Sequence, residues 1–244
     1  MAQNQFLPIL AGLTLSLSLM LSGCRADTPP DRSASAPSAN AQPANEPQPA
    51  ASISAPVRPT DTRPLVVCFG DSLTAGYGTE AGQSYPDYLQ ASLDARGYHY
   101  RVVNEGLSGN TTKDGLDRLN SILALKPAVT IVEFGGNDGL RGLRIEDTRA
   151  NLDKIIATLK ASGTQVIIAG ITLPPDYGPD YIQQFTQTYV VLSKKYKLPL
   201  LPFLLKDVFG VPGMMQQDRT HATAAGNKIV ASNILPLVTR QLKK

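Results

Sequence analysis

An α/β fold, with a parallel sheet covered by helices on both faces, is the architecture this sequence predicts, on two observations. From residue 65 onward, short apolar runs alternate with stretches of helical periodicity. The apolar runs are continuous, without the alternating polar residues of a sheet that has one wet face. Strands buried on both faces belong to parallel sheets.

The elements follow in order. Residues 65–69, 101–103, 129–134, 165–169 and 198–201, rich in Val, Ile, Leu or Phe, read as five buried strands. Between them, residues 85–96, 112–125, 146–161 and 181–195 show helix-like spacing. The clearest is the third, where Leu152, Ile155, Ile156 and Leu159 share a face and Gly163 is placed to end the helix. A last helix is expected over residues 223–241, through Ile229, Val230, Ile234 and Val238. No internal repeat is visible.

A chain of 244 residues suffices for one domain plus accessory segments, and 42% hydrophobic residues suit a globular core. A formal charge of +3 without a basic block leaves no nucleic-acid footprint. The two cysteines, Cys24 and Cys68, lie in unlike settings, which argues against a disulfide framework. Cys68, inside the first strand, reads as a small apolar core residue. No spacing of His, Cys and carboxylates matches a metal site, so the expected chemistry uses neither metal nor cofactor.

Residues 1–23 read as a signal peptide. The run from Phe6 to Leu21 is apolar or hydroxylated, interrupted by Pro8, and has the size of a signal-peptide core rather than of a membrane span. It ends in Leu21-Ser22-Gly23-Cys24, which resembles a bacterial lipobox and implies lipid attachment at Cys24. Each buried methylene of such chains contributes about 0.8 kcal/mol, so several chains anchor firmly. Arg25 rather than aspartate after the cysteine implies an outer-membrane lipoprotein facing the periplasm. Residues 1–5 lack the usual lysine or arginine, and on the alternative reading an ordinary signal is cleaved near Ala26, leaving a soluble periplasmic protein. Residues 24–63, dominated by Ala, Pro, Ser, Asn and Gln, have too little apolar surface to offset ordering and read as a disordered, semi-rigid tether. The folded domain is assigned to residues 64–244.

The polar motifs fall where strands end, the edge at which open parallel sheets bind ligands. The first strand runs into Gly70-Asp71-Ser72-Leu73, where glycine allows a tight turn that leaves the hydroxyl accessible. Taken alone, such a serine reads as an ordinary turn or capping residue. The second strand leads into Asn104-Glu105-Gly106-Leu107-Ser108-Gly109-Asn110-Thr111-Thr112. Here Gly109 is placed to offer a backbone N–H to a developing oxyanion, and Thr111 or Thr112 to cap a helix. Asn110 replaces the second glycine of the Gly-x-Ser-x-Gly elbow of another hydrolase fold, which excludes that elbow. The third strand ends in Phe134-Gly135-Gly136-Asn137-Asp138. The Asn137 amide suits the same oxyanion, a donor worth on the order of 3 kcal/mol of transition-state stabilisation. Asp138 is expected to cap a helix.

Ahead of the last helix comes Asp218-Arg219-Thr220-His221. A serine hydroxyl needs a neighbouring base, and the chain holds only two histidines. His99, in Gly97-Tyr98-His99-Tyr100, has no acidic companion and reads as a surface or strand-end residue. A carboxylate three residues before His221 can reach its imidazole, fix the tautomer and stabilise the charged ring.

In order, Gly-Asp-Ser-Leu, Gly109, Gly-Gly-Asn-Asp and Asp-x-x-His resemble the SGNH or GDSL hydrolase superfamily, from residue 65 to the C-terminus. Residues 135–142 and Leu173-Pro174-Pro175-Asp176-Tyr177-Gly178 are similar to its bacterial periplasmic acyl-thioesterase, lysophospholipase and arylesterase group. The resemblance implies a flavodoxin-like, three-layer αβα sandwich with a five-stranded parallel sheet. It implies Ser72 as nucleophile, His221 as base and Asp218 as orienter. The N–H groups of Ser72 and Gly109, with the Asn137 side chain, would form the oxyanion hole, and Leu173, Pro174 and Tyr177 would border the acyl groove. Where the family commonly reads Asp-Gly-Ile-His-Pro, Arg219 and Ala222 replace the glycine and the proline, which bears on the geometry of that loop. Asn110, where the family often has aspartate, touches nothing catalytic.

The implied activity is hydrolysis of acyl esters or thioesters through an acyl-enzyme intermediate, without cofactor. The implied protein is a monomer whose partners are a small acyl substrate and, through Cys24, a membrane. The alternatives are a carbohydrate O-acetyl esterase on the same fold and, in another class, a non-catalytic lipid- or glycan-binding lipoprotein.

Overall fold

The structure, a computed structural model, describes residues 61–244. The expected signal peptide, the Cys24 lipobox and the tether up to residue 60 lie outside the described residues. Five parallel strands, β1 (Leu65–Gly70), β2 (Arg101–Gly106), β3 (Val129–Glu133), β4 (Gln165–Ala169) and β5 (Leu200–Leu201), form one sheet in the order β2-β1-β3-β4-β5. This is the flavodoxin-like doubly wound order, whose direction of winding reverses between β1 and β3. The strands are buried on both faces, Val66, Val67, Cys68 and Phe69 being wholly inaccessible. That burial is what the unbroken apolar runs demand.

Among the described residues, eight α-helices connect and cover the sheet: α1 (Ser72–Ala75), α2 (Tyr85–Asp94), α3 (Thr112–Asp117), α4 (Leu119–Ala124), α5 (Gly136–Leu140), α6 (Ile145–Ala161), α7 (Pro179–Tyr196) and α8 (Ala224–Thr239). Two of them begin with reciprocal capping boxes, Ser84 with Asp87 at α2 and Thr111 with Asp114 at α3, each satisfying two otherwise orphaned backbone donors. The α6 helix buries Leu152, Ile155, Ile156 and Leu159 as its periodicity requires. Thr223 caps α8 by accepting from the Gly226 N–H. The α2 helix packs on α8, while α3 and α7 flank α6.

Three expectations are corrected. The helix expected over residues 112–125 breaks at Arg118, whose side chain turns inward to the ends of β1 and β2. The strand expected from residue 198 begins at Leu200. Leu198 is held back against α7, donating its N–H to the Ser193 carbonyl at 2.9 Å and accepting the Ser193 hydroxyl at 2.7 Å, and Pro199 has no N–H to give. The second strand runs three residues past its expected end, pairing with β1 as far as Gly70 opposite Gly106. Ordered packing begins slightly before residue 64, where the Arg63 guanidinium binds the Asp61 carboxylate at 2.9 Å and the Tyr100 carbonyl at 3.4 Å.

The register positions the functional edge. Gly70 lies opposite Gly106 on β2 and opposite Glu133 on β3, so the three strands release their chains at one level. A Cβ on Gly106 would collide with the Ala75 backbone, so glycine lets α1 sit directly on the end of β2.

Candidate active site

Ser72 is the first residue of α1, and the cap before it is Asp71, whose carboxylate accepts the Leu73 N–H at 3.1 Å. Asp71 therefore does the capping, which leaves the Ser72 hydroxyl outside the turn. That hydroxyl lies 2.8 Å from His221 Nε2, across 149 residues of sequence. On the other side of the ring, His221 Nδ1 is 2.7 Å from Asp218 Oδ2. A carboxylate can only accept, so Nδ1 carries the ring proton and the Nε2 lone pair faces the serine hydroxyl. Burial opposes ionisation of Asp218. The bonds from the imidazole and from the His221 and Thr220 N–H groups nevertheless hold its carboxyl below the usual range.

The loop carrying His221 keeps this geometry despite its departures from the family pattern. Arg219 takes the left-handed conformation, φ 56°, that glycine adopts without strain. Gln216 braces the rest: its N–H binds the His221 carbonyl at 2.8 Å, and its amide reaches the Ala222 carbonyl at 2.9 Å and the Tyr77 carbonyl at 2.7 Å. The Tyr77 ring lies 4.7 Å from the imidazole, centroid to centroid. Neither Gln216 nor Tyr77 is marked in the sequence, because each acts on residues far along the chain.

Opposite stand the candidate oxyanion donors. As the first residue of α1, Ser72 has an N–H without an intrahelical acceptor. Gly109 sits at φ 81° with its carbonyl held by Arg141 Nη2 at 2.9 Å, a conformation that favours glycine. Asn137, in the first turn of α5, gives its amide to Asp71 Oδ2 at 3.1 Å and to the Asn110 carbonyl at 2.9 Å. Asp138, expected to cap a helix, serves the start of α3 rather than α5, whose N-cap is Gly135. Its carboxylate lies inside α5 and accepts the Thr112 N–H at 2.9 Å, bracing the start of α3. Arg118, also unanticipated, ties the edge together by binding Asn110 Oδ1 at 2.8 Å, the Gly70 carbonyl at 2.8 Å and the Glu105 carbonyl at 2.9 Å.

A cavity of about 170 Å³ opens beside Ser72, Asn137 and His221, with Ile171, Leu173, Pro174, Phe203, Leu205 and Phe209 among its lining. Leu173 and Pro174 thus line this cavity. Tyr177 does not line the cavity; its hydroxyl holds the Leu140 carbonyl at 2.9 Å from behind. His99 is exposed ahead of β2. Burial pushes the Cys68 thiol up to about 12, which removes it as a competing nucleophile.

A serine, a histidine and a carboxylate hydrogen-bonded in line, at the edge of a doubly wound parallel sheet, define a serine hydrolase of the SGNH type. Residues 68–229 match the family model of the GDSL-like lipase/acylhydrolases. The chain is 42% identical over 168 residues to the esterase TesA of Pseudomonas aeruginosa, covering 68% of this chain and 84% of that one. It is 35% identical over 167 residues to the thioesterase 1/protease 1/lysophospholipase L1 of Escherichia coli, covering 68% and 79%. A crystal structure of TesA superimposes with a TM-score of 0.71 at 40% identity, over 73% of this chain and 99% of that one. The chain belongs to the GDSL-like lipase/acylhydrolase family and is a serine ester hydrolase.

Proposed function

We propose that Ser72, His221 and Asp218 are the nucleophile, the base and the orienter of an acyl-ester and thioester hydrolase. The observation that carries this is the unbroken line of hydrogen bonds from Asp218 through His221 to the Ser72 hydroxyl at the mouth of an apolar cavity. Ser72 Oγ attacks the acyl carbonyl carbon as its proton passes to His221 Nε2, and Asp218 stabilises the resulting imidazolium. The carbonyl oxygen, now negative, turns toward the N–H groups of Ser72 and Gly109 and the Asn137 amide. Both amide hydrogens of Asn137 are engaged, so it reaches the oxyanion by sharing the one directed at Asn110. Collapse expels the alcohol or thiol, protonated by His221. Water, deprotonated by the same nitrogen, then attacks the acyl-serine and releases the acid and the free hydroxyl.

The aliphatic and aromatic lining favours an acyl chain over a sugar in the cavity. Thioesters and lysophospholipids join simple esters as candidate substrates by similarity to the Escherichia coli relative, whose name includes both activities. Hydrolysis of p-nitrophenyl esters from two to twelve carbons tests the reading. Ser72→Ala should lower kcat by about 10⁶-fold with little change in KM. Equal rates in the two proteins would overturn the mechanism, and a strict preference for acetate would favour the carbohydrate esterase.

Residues 1–23, Cys24 and residues 24–63 complete the proposal as signal peptide, acylated cysteine and tether, placing the enzyme on a membrane of the periplasm. This rests on the sequence of the lipobox and the Pro/Ala/Ser-rich stretch. Among the described residues, no helix is long and apolar enough to cross a membrane. Palmitate should label the wild type and not Cys24→Ser; label in neither would leave the soluble periplasmic form.

A further inference from the structure

Glu133 ends the apolar strand β3 as its only charged residue, and it is wholly buried. Its Oε2 accepts the Asp71 N–H at 3.3 Å and the Thr74 hydroxyl at 2.7 Å, and Thr74 in turn touches the Tyr85 hydroxyl at 3.3 Å. Its Oε1 is buried without a hydrogen-bond partner. Gly70 makes room for the carboxyl, since a Cβ there would stand 2.5 Å from Oε2. A carboxyl is a costly occupant of such a site, where an aliphatic side chain would fill the space without desolvation.

The groups that Glu133 holds explain its presence. Asp71 and Thr74 bracket Ser72 in the first turn of α1, and Asp71 also accepts the Asn137 amide. Two of the three oxyanion donors therefore hang from one buried carboxyl pair. We propose that Glu133 is a positioning residue: its carboxyl fixes the Ser72 turn and, through Asp71, the Asn137 amide, so that the oxyanion hole is assembled before substrate arrives. The proposal rests on the reading of Asn137 as an oxyanion donor.

Burial, and then the adjacent Asp71 carboxylate, push the Glu133 carboxyl well above the usual range, while Asp71 itself is pushed up to about 6 by burial. Both shifts favour a protonated carboxyl, and the push is the stronger on Glu133. The other groups facing it are the Cys68 thiol and the Tyr85 and Tyr189 hydroxyls, all held neutral by burial. Asp138 lies on the Tyr189 side. The cations are Arg118, bonded to the Gly70 carbonyl and paired at 4.0 Å with Glu105, and His221 once it has taken the serine proton. A charge on Glu133 would face the developing oxyanion and repel it.

The test is ester hydrolysis by the full chain carrying Glu133→Gln, Glu133→Leu, Asn137→Ala or the last two together. Glutamine keeps the acceptor and stays neutral, so kcat at pH 7 should remain within about threefold of wild type. Leucine should lower kcat by about 10- to 100-fold with KM nearly unchanged, as for an interaction made only in the transition state. The Glu133→Leu/Asn137→Ala protein should lose less than the product of the two single losses, the non-additivity of groups acting partly as a unit. At alkaline pH, kcat of the wild type should fall as Glu133 ionises, and Glu133→Gln should lack that fall. Additive losses, or an alkaline limb identical in wild type and glutamine variant, would overturn the proposal; the second comparison holds even if the leucine variant does not fold. A fully active Asn137→Ala would instead overturn the oxyanion reading on which the proposal rests.

Discussion

The two halves of the site are built in opposite ways. The half that holds Ser72, Gly109 and Asn137 grows from the ends of three adjoining strands and is braced from below by Asp71, 2% exposed, and Glu133, wholly buried. The half that holds the base is a surface loop in which the Asp218 side chain is 40% exposed. The first half stabilises charge that appears during the reaction, and its donors must be fixed in advance, where water cannot reorganise around them. The second half shuttles a proton and needs only one bond on each side of an imidazole. Two of the chain's departures from its family pattern fall in this second half, at Arg219 and at the buried Ala222, and Gln216 bonds the loop backbone there.

The largest way to break the comparison is on the loop side. Asp218→Asn removes the acceptor that fixes the imidazole tautomer and should lower kcat by about 10⁴-fold, read in the same ester assay. A loss below tenfold would mean that solvent substitutes for the carboxylate at this exposed position.

The buried half is tested by stability rather than rate. Burial pushes the Asp71 carboxyl up to about 6, above the ordinary aspartate range. Its contribution to stability is therefore fully present below the unfolded value and is lost as pH rises through the folded one. Between pH 3 and pH 7 the unfolding free energy of the wild type should decline relative to Asp71→Asn by about 3 kcal/mol. Asp218 has the opposite sign: its carboxyl lies below the usual range, so its stability is present at neutral pH and lost as pH falls through the folded value. Parallel stability curves for wild type and Asp71→Asn would show that Asp71 is not strained by burial.

The smallest effect is the sharpest on the loop. Arg219→Gly relieves a left-handed residue and should raise stability by about 0.5–1 kcal/mol, or roughly 1–4 °C in Tm, with kcat nearly unchanged. A drop in Tm would mean that the arginine side chain contributes packing of its own.

Much of this was legible in the sequence because the catalytic groups sit in short motifs at strand ends. Ser72, Gly109 and Asn137 stand beside glycines that mark a turn, Asp218 and His221 share a short Asp-x-x-His motif ahead of the last helix, and unbroken apolar runs mark the strands. The bracing was not legible. Glu133 acts on Asp71 across 62 residues, Arg118 on Gly70 across 48, and Gln216 on Tyr77 across 139, and no local pattern records such partners. A charged residue closing an otherwise apolar strand was the one visible signal for Glu133. The break at Arg118 escaped for the same reason, since helical periodicity runs through it while its side chain answers to the ends of two strands.

The claim on which the rest depends is that Ser72 is the activated nucleophile. Treatment with an aryl alkylphosphonate, followed by peptide mapping by mass spectrometry, tests it directly. The structure predicts one stoichiometric adduct, on Ser72, that is absent in Ser72→Ala and forms far more slowly in His221→Ala. An adduct on any other residue in an inactivated enzyme, or full inactivation of the wild type without modification of Ser72, would contradict it.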